Sequence, residues 1–129
     1  MKTMLFISRH KASPSQHELA ALADFKLVEV GDLDAFDTDL KDQIWELRRL
    51  HKAEGVACVH PCIAMAAMGI KNPKEKDAFV VRSLTVGVFN NIRREDGGFE
   101  TTEMVVVSNN SYQEERMGLA EVPFFKVEL

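Results

Sequence analysis

Cysteine and the polar aromatics are scarce in this chain, and its basic residues, 16, are outnumbered by its 20 acidic ones. Its 129 residues hold two cysteines, one tryptophan and one tyrosine. Two cysteines cannot build a disulfide framework, so Cys58 and Cys62 are expected to be reduced thiols of a cytoplasmic protein. The net charge of −4 argues against sequence-independent binding to duplex nucleic acid, which needs a strongly cationic surface. No run approaches the roughly 18 apolar residues of a membrane span, and Met1-Lys2-Thr3 leads into a strand-like run rather than a signal peptide. No repeat or low-complexity tract is visible, which excludes solenoids and low-complexity chains. What is left is one ordinary globular domain over residues 1–129, long enough to bury its own core.

The elements that are present alternate. Met4 to Ile7 is a continuous apolar run, as expected of a strand covered on both faces. Ser13, Pro14 and Gln16 then have the chemistry of an N-cap, a first helical position and a capping box, predicting a helix that ends near Asp24. Phe25 to Val30 is a second strand, broken by Gly31. An acidic connection over 32–38 leads to a helix capped by Thr38, with Leu40, Ile44, Leu47 and Leu50 at the helical period. Its acids come first and its bases last, which complements the helix dipole, and Gly55 is expected as its left-handed stop. Val56–Val59 is a third strand, and His60-Pro61 opens a third helix ending at Gly69, with Met65 and Met68 on its packed face. Asn72–Lys76 follows as a solvated loop.

Strand and helix in strict alternation predict a mostly parallel α/β sheet with flanking helices. The second half changes character. Phe79–Val81 and Leu84–Phe89 are strand-like, and Asp96-Gly97 before Phe99–Val107 predicts an antiparallel β-hairpin. Asn109-Asn110-Ser111 marks a turn. Residues 112–119 are left as a short helix or a loop, and Val122–Leu129 as an edge strand.

In a parallel sheet the polar residues just past the strands converge on one edge, where ligands bind. The first strand ends there in Ser8, Arg9 and His10. The third ends in His60, at a helix start whose N–H groups favour an anion. The late strand brings Asn90, Asn91 and, further along, Arg93. These groups suit phosphates and nucleobases. Plainer roles stand beside each: Arg9 as an aspartate partner or helix cap, His60 as an N-cap, Asn90-Asn91 as a bulge, Arg93 as edge protection.

Other chemistries fit less well. Cys58-x-His60-x-Cys62 lacks the second ligand pair of structural zinc, and Cys58 sits in an apolar run where cysteine packs as a small hydrophobe. Cys62 has no orienting partner for a nucleophile. The acids Asp32, Asp34, Asp37 and Asp39 lack the glycine and terminal glutamate of a calcium loop and are read as a solvated loop. Trp45 is assigned to the core or a dimer contact. Arg9-His10 is similar to the Arg-His-Gly motif of histidine phosphatases, but Lys11 replaces the glycine and no late His-Ala pair follows. No metal or cofactor is expected.

The opening Leu5–His10 with Ser13-Pro14-Ser15-Gln16 resembles small CRISPR-associated proteins of the CARF-like type. Gly55–Pro61 looks like their central strand, and Asn91-Ile92-Arg93 with the Asp96-Gly97 turn looks like their late hairpin. The family's threonine-rich late segment has no clear match. The resemblance implies a compact Rossmann-like domain that binds a cyclic oligoadenylate second messenger across a homodimer, in some members with metal-independent cleavage of the ring. Carried over, Ser8, Arg9 and His10 would contact phosphate or ribose, Arg9 and His10 would serve cleavage, and Asn91 with Arg93 would close the pocket. The alternative is a non-catalytic protein-interaction module, for example one encoded by a phage or mobile element, using the 84–107 hairpin and Pro123-Phe124-Phe125.

Overall fold

Apolar residues on alternate sides of a strand must be covered from both sides, and this chain supplies helices for both. The computed structural model describes residues 1–67, 79–81, 85–108, 115–117 and 124–129. Its helices are α1 (Pro14–Leu22), α2 (Leu40–His51) and α3 (Pro61–Ala67). Its strands are β1 (Lys2–Ile7), β2 (Phe25–Gly31), β3 (Gly55–Cys58), β4 (Phe79–Val81), β5 (Thr85–Arg93), β6 (Phe99–Ser108), β7 (Glu115–Met117) and β8 (Phe124–Glu128).

The fold is mixed α/β around a six-stranded sheet of order β2-β1-β3-β5-β6-β8. Strands β2, β1, β3 and β5 are parallel. β6 and β8 then add antiparallel pairings, so the sheet is parallel in its first half and antiparallel at its C-terminal end. Leu5, Ile7, Val56, Cys58 and Val86 form one core with Leu40 and Ile44 of α2 and Ile63 of α3. Met4, Phe6, Ala57, Phe89 and Met104 form the other with Leu19 and Ala20 of α1. That two-residue alternation is the pleat of the strands, and it explains why β1 and β3 are apolar throughout.

The helix ends follow local chemistry. Ser13 Oγ accepts from the Gln16 N–H, and Gln16 Oε1 accepts from the Ser13 N–H, closing the expected capping box at α1. At α2 the cap position is Asp39 rather than Thr38. Asp37 organises the turn instead, accepting from the Asp39 N–H and the Gln43 amide. Gly55 is not the left-handed stop. Lys52 takes that conformation, with φ of 50°, and Gly55 lies inside β3, where a Cβ would stand 3.0 Å from the Thr85 carbonyl oxygen.

Later segments depart from expectation both in type and in pairing. Phe79–Val81 is a strand, but it pairs with β7 in a separate two-stranded sheet. Within 112–119, residues 115–117 are therefore strand, neither helix nor loop. The Asp96-Gly97 turn joins β5 to β6, with Gly97 at φ of 85°. The expected loop at 72–76, the turn at 109–111, Met68 and Gly69 lie outside the described residues, as does the side chain of Met65. Cys58 packs in the core, where burial pushes its thiol up to about 12. Trp45 packs partly against that core and lies under the Arg48 guanidinium, 4.6 Å from the ring centre.

Candidate functional site

The sheet order changes direction between β1 and β3, because the chain passes from β1 to β2 on one side and later returns to β3 on the other. Loops leaving the carboxyl ends of such neighbours part in opposite directions and leave a crevice. A cavity of about 570 Å³ lies there. Its walls are Ile7–His10 after β1, Asp32–Phe36 after β2, and Val59, His60 and Ile63 after β3. The volume falls within the roughly 300–1,000 Å³ usual for small-molecule sites.

The β1 loop is held in place by its own hydrogen bonds. The Ser8 N–H donates to the Gly31 carbonyl at 3.0 Å, continuing the β1–β2 pairing. Ser8 Oγ accepts from the His10 N–H at 3.1 Å, a local turn that Ser side chains favour. Further on, the Ala12 N–H donates to Glu29 Oε1 at 2.7 Å. The backbone that carries Arg9 and His10 is thus tied at both ends, while both side chains are exposed. The Arg9 guanidinium makes no ion pair or side-chain hydrogen bond with any described residue. Its sequence-level alternatives, helix cap or aspartate partner, therefore have no counterpart among the described residues.

His60 does act as a cap. Its Nδ1 accepts from the Cys62 N–H at 3.1 Å, so that nitrogen carries no proton in this arrangement. The neutral ring then bears its hydrogen on Nε2, which is left as a donor. The His60 ring also meets Phe36 nearly at right angles, with centroids 6.1 Å apart. Capping and cavity lining are therefore both true of His60.

Asp32, Asp34 and Phe36 were not foreseen as site residues. Asp32 Oδ1 accepts from the Leu33 N–H and Asp34 Oδ1 from the Phe36 N–H. Leu33 and Ala35 between them pack against the α2-side core. The acidic run is accordingly a built loop with carboxylates on the cavity, not only a solvated connection. One signal was available: an acidic residue directly after the second parallel strand is where nucleotide-binding sheets hold a ribose.

Asn90, Asn91 and Arg93 reach the same end of the sheet but do not line this cavity. The Asn90 amide donates to Glu103 Oε1 at 2.8 Å. A bulge separates Asn90 from Asn91, and Asn91 Oδ1 accepts from the Thr101 hydroxyl on the α1 side, where Thr101 also meets Gln16. Arg93 is exposed at the far end of the hairpin, opposite Phe99.

A second cavity of about 620 Å³ runs along α2 beside Trp45, Arg48 and Arg49. It is the larger of the two, yet it is lined by one helix and its end alone, and its two arginines are engaged locally. Arg49 pairs with Glu46, and the Arg48 Nε–H donates to the Ala53 carbonyl. The cleft at the strand ends, gathering three loops, is the better candidate. No protein-family model, curated protein or solved structure matches the chain. No helix among the described residues is long and apolar enough to cross a membrane.

Proposed function

We propose that this chain is a Rossmann-like, cytoplasmic nucleotide-binding protein whose ligand is a cyclic oligoadenylate, held where two copies bring their β1–β3 clefts together. One observation carries this reading: a guanidinium with no ion-pair partner among the described residues and two imidazoles line a cleft at the sheet's change of direction, together with aspartates from the β2 loop. Arg9 and the imidazole N–H groups are donors for phosphate oxygens. Asp32 and Asp34 accept only, which suits ribose hydroxyls and repels a phosphate. A single cleft holds a nucleotide-sized part of a ring, and a two-fold pair of clefts would hold more of it.

Cleavage, where it occurs, uses the ring's own 2′-hydroxyl. Its oxygen bonds to the adjacent phosphorus as the bond to the 5′-oxygen breaks, leaving a 2′,3′-cyclic phosphate and a free 5′-hydroxyl. His10 takes the 2′ proton, a donor or water returns one to the 5′-oxygen, and Arg9 stabilises the charge growing on the phosphorane oxygens. The test is titration with cyclic tri-, tetra- and hexa-adenylate, followed by chromatography of the products. Arg9→Ala should weaken binding roughly 10- to 150-fold, the effect of losing a charge-assisted hydrogen bond of about 1.5–3 kcal/mol. Absence of binding by any ring at micromolar concentration rejects the proposal.

The alternative, a non-catalytic interaction module, draws support from edge strand β8, which exposes Phe124 and Phe125. It predicts a stoichiometric protein partner that survives both Arg9→Ala and His10→Ala and is lost on Phe124→Ser with Phe125→Ser.

A further inference from the structure

We infer that Phe36 is the stacking platform for a nucleobase of the bound ligand, and that it gives the cleft its preference for nucleotides over other phosphates. This rests on the nucleotide reading above. Phe36 is 81 % exposed, although its neighbours Leu33 and Ala35 both pack inward against the core. A phenyl ring left in water at that cost in apolar exposure is held out by its backbone. The Phe36 N–H is bound to Asp34 Oδ1 at 2.9 Å, and the Asp37 N–H to the Asp34 carbonyl at 3.1 Å. The ring touches His60 at 89°, a contact that engages one part of its surface and leaves a face open.

The surroundings select the occupant. The cleft offers donors from the β1 loop, acceptors from the β2 loop and a flat apolar ring at its rim. A ligand that uses all three carries an anion, hydroxyl or amino donors, and a planar π-system. Inorganic phosphate and sugar phosphates lack the last. A nucleotide has every part, and stacking of bases on aromatic side chains is tolerant of base identity, so Phe36 would fix the presence of a base rather than its kind.

The experiment compares wild type, Phe36→Ala and Phe36→Trp, with the cyclic tri-, tetra- and hexa-adenylates and AMP as probes. Because the ring is so exposed, Phe36→Ala should melt with the wild type. Its affinity for the ligand that wild type binds should fall roughly 10- to 100-fold. Phe36→Trp should keep the affinity, and its emission above the Trp45 background should be quenched at saturation. Wild-type binding together with a Phe36→Ala affinity within twofold, or an unquenched Phe36→Trp at saturation, overturns the stacking role and leaves the nucleotide reading standing. If wild type binds none of the four probes, the nucleotide reading fails and this inference falls with it.

Discussion

Replacing Gly55 by alanine tests how β3 is seated between its neighbours. The added methyl would lie 3.0 Å from the Thr85 carbonyl oxygen, 3.1 Å from Met4 Cε and 3.2 Å from Phe25 Cε1. Two effects favour the substitution: about 0.8 kcal/mol from burying a methyl and about 0.4–1 kcal/mol from a less flexible unfolded chain. Against them stands overpacking, which costs roughly 1–3 kcal/mol in a filled core. The identity of the neighbours decides the balance. Met4 could bend away elsewhere, but it is wholly buried. The Thr85 oxygen belongs to the strand paired residue for residue with β3, so it moves only if the sheet opens. With the neighbours unable to give, overpacking sits near its upper limit, and we expect Gly55→Ala to be destabilised by about 1 kcal/mol, a melting shift of roughly 3–5 °C for a domain of this size. Urea denaturation followed by circular dichroism, with an unchanged m-value, measures it. The companion is Lys52→Gly. Lys52 holds the left-handed position after α2, so glycine there should stabilise by roughly 0.5–1 kcal/mol. A neutral or stabilising Gly55→Ala, or a destabilising Lys52→Gly, would refute the reasoning.

Three further outcomes are expected. Ser13→Ala opens the capping box of α1 and should cost about 1 kcal/mol, read as a lower urea midpoint. Thr101→Val removes the hydroxyl that joins Asn91 to Gln16 and should cost roughly 1–2 kcal/mol while leaving ligand affinity intact; a large affinity loss without a stability loss would return Asn91 to the binding site. Burial holds the Cys58 thiol at about 12, above its ordinary value of 9.0. An acid whose folded pKa is raised contributes stability below the unfolded value and loses it as pH climbs through the folded one. The urea midpoint should therefore fall between about pH 9 and 12, and Cys58→Ala should flatten that slope.

The parallel half of the sheet was legible because its physics is local. A four-residue apolar run, a capping box and a 3.6-residue period each announce one element without reference to the rest, and β1, α1, β2, α2 and β3 followed within a few residues. Gly55 was misassigned because glycine answers two different needs, a left-handed turn and a close approach. Only the position of Thr85 and Met4 distinguishes them, and both are set by tertiary contacts. The same holds for β4 and β7. The apolar run of β4 says strand, while the three residues of β7, Glu-Arg-Met, carry no pattern that separates strand from helix or loop, and which strand pairs with which is a non-local choice that short segments do not encode.

The candidate site divides along a similar line. Ser8, Arg9, His10 and His60 could be grouped in advance because a parallel sheet places every strand's carboxyl end on one edge. That rule is too coarse for β5. An edge has two faces, and the bulge after Asn90 sets Asn91 toward α1, whereas the cleft opens on the side of α2 and α3. Strand alternation is readable in sequence; a bulge that interrupts it is not. For Asp32 and Phe36 the obstacle was composition. Four aspartates within eight residues look like solvated connection, and the aromatic among them looks incidental. The distinguishing feature is the inward turn of Leu33 and Ala35, which anchors the loop to the core and thereby holds the residues between and beyond them over the cleft. An acidic loop with alternate apolar anchors is a wall, and an unanchored one of the same composition would be only solvent-facing chain.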